Sequence, residues 1–196
     1  MNSPIEEIRL IERCQKGDRT SLDELVQRYH GRAYQFAYRI SGDTETASDL
    51  VAEGFVRAYM NIKNFRKDSR FSTWLYRIIT NCFLDLQKRE RIRRHDSIEA
   101  LVQTEEGAVS RQFISEEKSP PTVLEENIRN EALSKAIAKL PEYHKVMIVM
   151  YHFENLSYEE IAEAMDMPVG TVKSRLNRAR LALRGLLEPV EELFST

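Results

Sequence analysis

An all-α protein, built as two small helical domains joined by a flexible acidic linker, is what the 196-residue sequence predicts. Three observations carry this prediction. Apolar residues recur at three- and four-residue spacing wherever a pattern can be read, and no stretch alternates with the two-residue period of a strand. That spacing lapses between His95 and Asn127. Beyond the lapse, two helices with strong start and stop signals flank a turn that contains a proline.

The elements follow in order. After the break at Gly17-Asp18, Leu22, Leu25, Val26 and Tyr29 form a short helical stripe. From Ala47, the series Leu50, Val51, Gly54, Phe55, Ala58, Tyr59 and Ile62 holds one apolar face over about four turns. Its other side offers Asp49, Glu53 and Val56, a mixed face able to dock a partner helix. Another helix is expected from Ser72 or Thr73, burying Trp74, Leu75, Ile78, Ile79, Cys82 and Leu86. A polar stripe runs along it at Arg77, Asn81, Asp85 and Lys88, ending in the cationic run Lys88-Arg89-Glu90-Arg91-Ile92-Arg93-Arg94. Just before this helix lies Asn64-Phe65-Arg66-Lys67-Asp68-Ser69-Arg70-Phe71, a basic loop with aromatic residues near both ends. Cations interleaved with aromatics suit single-stranded nucleic acid, where bases stack and phosphates are neutralised. Phe65 and Phe71 fit a core role equally well, and Trp74 is read as core.

Residues 95–127 contain eight acidic and two basic residues, a net of -6, with Gly107 and the run Ser-Pro-Pro at 119–121. Few large apolar residues occur there, so the segment reads as a linker. The expected boundaries are therefore 1–94 for the N-terminal domain, 95–127 for the linker and 128–196 for the C-terminal domain. Periodicity returns at Leu133, Ala136, Ile137 and Leu140.

Ser157-Tyr158-Glu159-Glu160 is a capping-box signature, in which the Ser157 hydroxyl and the Glu160 carboxylate satisfy backbone donors reciprocally. The helix it starts buries Ile161, Ala162 and Met165 and is stopped at Asp166-Met167-Pro168. A second helix runs from Val169 with Val172, Leu176, Ala179 and Leu183 inward. This pair is a helix-turn-helix. Its second helix carries Lys173, Arg175, Arg178, Arg180 and Arg184 with no acidic residue, although the whole chain has a formal charge of -2. Lys173, Ser174, Asn177, Arg178 and Arg180 fall on the outward side, with Arg175 nearer the edge. Lysine and arginine donate to guanine, asparagine pairs with adenine, and the same cations neutralise phosphate. Residues of these types on such a helix point to duplex DNA.

Composition narrows the alternatives. With 42% hydrophobic and 31% charged residues the chain reads as soluble and globular. The N-terminal segment lacks an apolar run of signal-peptide length and no segment approaches a membrane span, so a cytoplasmic protein is expected. Cys14, Cys82 and the four histidines match no ligand spacing, so neither metal nor disulfide is expected. No cofactor-binding glycine loop and no nucleophile-base pairing is visible, which argues against an enzyme.

The two halves together resemble the bacterial RNA polymerase sigma factors of the extracytoplasmic-function (ECF) group. The resemblance is carried by SGDTETASDLVAEGFVRAYMNIKNF at 41–65, RFSTWLYRIITNCFLDLQKRERIRR at 70–94 and LPEYHKVMIVMYHFENLSYEEIAEAMDMPVGTVKSRLNRARLALRGLL at 140–187. It implies that Asp49, Leu50, Glu53, Phe55 and Val56 contact core RNA polymerase. It implies that Asn64, Phe65, Arg66, Lys67, Asn81, Asp85, Lys88 and Arg89 recognise and melt the minus-10 promoter element, holding single-stranded DNA. Lys173, Ser174, Arg175, Asn177 and Arg178 correspond to the reader of the duplex minus-35 element. The resemblance also implies an anti-sigma factor as partner, no direct membrane insertion and a free monomer. One departure stands out: the family's D-L-x-Q-E-A-F reads Asp49-Leu50-Val51-Ala52-Glu53-Gly54-Phe55 here. The two domains are expected to be mutually disordered until the polymerase orders them. The alternative is a free-standing helix-turn-helix regulator whose N-terminal half senses a signal or dimerises on a two-fold operator.

Overall fold

The computed structural model describes residues 4–66, 69–100 and 121–193. Eight α-helices follow one another: α1 (Pro4–Gln15), α2 (Arg19–Ser41), α3 (Thr44–Asn61), α4 (Phe71–Ala100), α5 (Pro121–Ala138), α6 (Glu142–His152), α7 (Tyr158–Met165) and α8 (Val169–Leu187). Short 3-10 turns follow α3 and α8. Among the described residues there is no strand, and no helix is long and apolar enough to cross a membrane.

The first three helices are set by their ends. Asp18 caps α2, accepting from the Thr20 backbone N–H at 3.0 Å and from the Thr20 and Ser21 hydroxyls, both at 2.7 Å. Arg13, near the end of α1, closes the same carboxylate at 2.7 Å, so one side chain fixes the α1–α2 corner. These hydroxyl donors, followed by Arg13, hold the Asp18 carboxyl far below the ordinary carboxylate range. Helix α2 is longer than its first stripe suggests: Ala33, Phe36, Ala37 and Ile40 continue the buried face. It ends at Gly42, whose φ of 77° places it in the left-handed region and lets its N–H reach the Tyr38 carbonyl at 2.8 Å. Asp43 then caps α3 through the Thr46 N–H at 2.7 Å.

Helix α3 lies against α2 on one side and α4 on the other. The close approach to α4 explains Gly54: a Cβ at this position would stand 2.8 Å from Ile79 Cγ1. The β-branched Ile79 is fully buried on α4, so the backbone of α3 must come near it with nothing in between. Tyr59, expected on the buried stripe, is instead 43% exposed because it sits at the margin of that face. Helix α4 begins at Phe71, one or two residues earlier than expected, and carries the cationic run onward to Ala100. Helix α5 begins at Pro121, ahead of the returning apolar pattern, with proline at the first helical position where its missing N–H is harmless. Residues 101–120, the middle of the predicted linker, lie outside the described residues.

Both predicted helical halves are present, and they share one core. Helix α6 buries Lys145, Val146, Met147, Ile148, Val149 and Met150 in succession. Six consecutive residues point in every direction around a helix, so α6 must be covered on all sides. Helices α7 and α8 cover it from its own half, and α2 and α4 close it from the other, while α4 also packs against α7. The expectation of mutually disordered domains is thus overturned here by apolar area that neither half buries alone.

Gly54→Ala tests the helix contact. Better helix propensity favours alanine by about 1 kcal/mol, whereas overpacking typically costs about 1–3 kcal/mol, so a net loss of stability is expected in urea unfolding. Ile79→Ala, which removes Cγ1 and is destabilising alone, should cost less in the Gly54→Ala background. Asp18 gives a pH prediction. A depressed folded pKa means stability that is present above the unfolded value of about 4 and lost as pH falls through the folded value. The difference in thermal midpoint between wild type and Asp18→Asn should therefore shrink steadily as pH drops from about 5 to 2.

Candidate nucleic-acid interface

The helix-turn-helix forms as its sequence signals dictate. The Ser157 N–H donates to Glu160 Oε2 at 2.8 Å and the Glu160 N–H donates to Ser157 Oγ at 3.1 Å, completing the capping box of α7. The helix stops at Asp166, a non-glycine residue held at φ 51°. The Met167 N–H then reaches back to the Ala162 carbonyl at 3.0 Å, and Pro168 leads into α8. Val172, Leu176 and Ala179 are fully buried, and Leu183 is half-buried. This seats α8 so that Lys173, Ser174, Asn177 and Arg178 are all exposed on one side.

Tyrosines organise the cations around this face. Lys173 Nζ stands 5.6 Å from the centroid of the Tyr158 ring, and the Arg175 guanidinium 5.9 Å from that of Tyr143. Arg175 is half-buried and, with Arg178, Tyr143 and His144, lines a cavity of about 590 Å³ between α6 and α8. Arg180 lies 4.5 Å over the Tyr151 ring and donates to His152 Nε2 at 3.2 Å. Burial, then the Arg180 charge, lowers the His152 pKa, which keeps the imidazole an acceptor. Arg180, read from the sequence as outward, is thereby turned against α6. Ser174 donates its hydroxyl proton to the Thr171 carbonyl at 3.0 Å, leaving its oxygen lone pairs outward.

On α4, Asn81, Asp85, Lys88 and Arg89 are all exposed along one side. Asp85, a carboxylate beside the exposed cations Lys88 and Arg89, does not stand alone. Arg57 of α3 reaches it at 3.4 Å while also gripping Glu53 at 2.6 Å. The Glu53 hydrogen bond chiefly raises the Arg57 pKa, so the guanidinium stays charged and offsets both carboxylates. In the preceding loop, Asn64 and Arg66 are exposed, and Lys67 lies outside the described residues. Phe65 is 5% exposed, with its ring 5.1 Å from Trp74 and 5.9 Å from Phe71. Its role here is core packing, and the expectation that it meets a base is corrected: the aromatic cluster anchors the loop while Arg66 and Arg70 stand exposed.

The α3 positions expected to face the polymerase divide in the same way. Asp49, Glu53 and Val56 are exposed, while Leu50 and Phe55 are buried in the core and can act only by shaping the helix. Sequence reasoning missed Tyr59 and Met60, which lie one turn beyond Val56 and are 43% and 73% exposed. The signal was there, since Val56, Tyr59 and Met60 are spaced i, i+3 and i+4 on the side away from Leu50.

Comparison with known proteins gives this geometry its context. Residues 25–96 match the Sigma-70 region 2 family and residues 130–183 match Sigma-70, region 4. The chain is 35% identical to the ECF RNA polymerase sigma factor SigW of Bacillus subtilis, over 89% of this chain and 92% of that one. It is 37% identical to the ECF RNA polymerase sigma-E factor of Escherichia coli, over 92% of this chain and 94% of that one. The chain belongs to the ECF sigma factor family. Among solved structures, the sigma factor RpoE in complex with the anti-sigma factor NepR from Bartonella quintana shares the fold with a TM-score of 0.62 and 24% identity. That match covers 85% of this chain and 96% of that one. CnrH in complex with the cytosolic domain of CnrY does so with a TM-score of 0.63 and 22% identity, covering 92% and 96%.

The burial of Phe65 separates core from contact. Truncation of a buried aromatic costs about 3–5 kcal/mol, so Phe65→Ala should lower the thermal midpoint sharply. Arg66→Ala should leave the midpoint unchanged within measurement.

Proposed function

We propose that the chain is the promoter-specificity subunit of a bacterial RNA polymerase: it binds the core enzyme, reads a duplex minus-35 element and opens a minus-10 element. The observation that carries the reading is the outer face of α8, where Lys173, Ser174, Asn177 and Arg178 stand exposed on the second helix of a capped helix-turn-helix. Such a helix enters the major groove with its first turns against base edges. Arg178 and Lys173 offer donors for guanine or phosphate, and Asn177 offers the amide pair that adenine accepts.

Helix α4 supplies the minus-10 surface. Asn81 and the Arg57-balanced Asp85 present hydrogen-bonding groups for an unpaired base, while Lys88, Arg89 and Arg66 neutralise the strand that carries it. Helix α3 supplies the polymerase contact through Asp49, Glu53 and Val56, extended by Tyr59 and Met60 into a half-apolar patch of the kind a partner helix covers. The chain performs no chemistry of its own, works in the cytoplasm, and is a monomer when free. The anti-sigma partners named for the solved relatives support a partner of that kind here.

Run-off transcription with purified chain, core polymerase free of other sigma factors and host promoter fragments tests the reading. Specific transcripts that depend on the chain are expected; their absence, together with no binding to core, would sink it. Lys173→Ala and Arg178→Ala should each weaken minus-35 binding by about 1–3 kcal/mol or reduce the salt slope by about one, according to whether a base or a phosphate is lost. Binding to core should be unchanged in both, as checked by fluorescence titration.

A further inference from the structure

Helix α1 lies ahead of residues 25–96, the first stretch matched to a family. Leu10, Ile11 and Cys14 seat it in the core, and Gln15 is its last residue. The Gln15 amide nitrogen, Nε2, donates to the Ile62 carbonyl and to the Phe65 carbonyl, each at 2.9 Å. An amide nitrogen carries two hydrogens, so both are committed to one short stretch of backbone. That stretch is the 3-10 turn Ile62–Asn64, which ends α3, together with the residue that caps it. The Phe65 N–H donates to the Ile62 carbonyl at 3.1 Å, so the turn is closed on itself and then fastened to α1. The last carbonyls of a helical segment lack partners within it, and Gln15 supplies one to each of these two.

The fastened turn displays polar groups. Lys63 and Asn64 are exposed on it, and Arg66 is exposed directly after Phe65. Ile62 and Phe65, which alternate with them, are buried in the core. Fixing this backbone therefore fixes the base from which each exposed side chain extends. Gln15 has little freedom of its own, because Arg13 and Asp18 close the corner around it at 2.7 Å and Gly17, at φ 92°, turns the chain just beyond it. Helix α1 also grips the same region at a second point. Glu7 accepts from the Tyr29 hydroxyl, and the Tyr29 ring lies 4.9 Å from that of Phe71, which stands 5.9 Å from Phe65.

We propose that Gln15, backed by the Glu7–Tyr29 tie, is a positioning residue for the minus-10 surface: its amide clamps the turn that carries Lys63, Asn64 and Arg66 and holds these groups where an unpaired strand meets them. The inference rests on the proposed single-strand role of this turn and α4. Clamping the backbone beforehand lowers the ordering cost that strand capture would otherwise meet. It also gives α1 a part in promoter opening without any contact between α1 and DNA.

The test titrates holoenzyme, assembled from the full chain and core polymerase, against a fluorescein-labelled single strand covering the minus-10 element of a promoter recovered by run-off transcription. Gln15→Met keeps the unbranched length and loses both donors, and should weaken binding about three- to tenfold as the fraction of correctly placed turns falls. In a Lys63→Ala, Asn64→Ala, Arg66→Ala background the same step should cost less than about twofold, because the groups it places are gone. A residue that supports the fold alone would cost the same in both backgrounds. That equality, or full affinity in Gln15→Met, would overturn the clamp. Tyr29→Phe keeps its ring against Phe71 and loses the tie to Glu7, and should weaken binding about two- to threefold. It carries the test if Gln15→Met does not fold, and unchanged affinity there would likewise overturn the clamp. An unmutated holoenzyme that takes up the strand no better than core alone would overturn the functional reading as well.

Discussion

Helix α6 has no side to spare. Its run from Lys145 to Met150 is buried without a break, and a helix buried all round cannot sit on the surface of the four-helix half that contains it. Helices α7 and α8 shield part of it, and the remainder is covered by α2 and α4. The arrangement of the whole chain follows from that need. It also explains Lys145, whose ammonium group is caught where the halves meet, 5.9 Å from the ring of Phe83, with its pKa lowered by burial. A cation so placed is costly and adds nothing to the hydrophobic gain, so the apolar residues around it must carry the contact.

Charge in this chain is sorted by location more than by amount. The total is nearly balanced, yet the exposed sides of α4 and α8 carry cations and the predicted linker carries anions. Aromatic rings fix several of the cations in place: Tyr158 under Lys173, Tyr143 under Arg175, Tyr151 under Arg180 and Phe153 under Arg39. A long side chain resting on a ring has lost part of its rotamer freedom before any ligand arrives, which lowers the ordering cost of binding. The same device withdraws Arg180 from the surface and leaves Lys173 and Arg178 as the forward charges of α8.

Local signals were legible and long-range ones were not. The capping box at Ser157, the stop at Asp166-Met167-Pro168 and the inward face of α8 depend on neighbours within one or two turns, and each is where the residues said it would be. The separation of Phe65, Leu50 and Phe55 from the exposed residues beside them depends on what packs across the helix, which spacing alone does not fix. Phe65 was ambiguous for that reason, since a basic loop flanked by aromatics is written the same way whether the rings face bases or a tryptophan. The joining of the halves could have been read in Lys145-Val146-Met147-Ile148-Val149-Met150, whose unbroken apolar run after the lysine departs from the amphipathic pattern of a surface helix. The Tyr76–Glu154 hydrogen bond, spanning 78 positions, has no local signature at all.

The contact of Gly54 with Ile79 ties the choice of residue at one position to the other. Two residues 25 positions apart share a space that holds one isoleucine and no second side chain. Substitution at either position therefore depends on the other: alanine at 54 is admissible once 79 has shrunk, and a bulky residue at 79 is admissible while 54 stays bare. Helix α3 thus takes part of its composition from a neighbour on α4, and the size allowed at position 54 is decided by packing and not by whatever meets the exposed side of the helix.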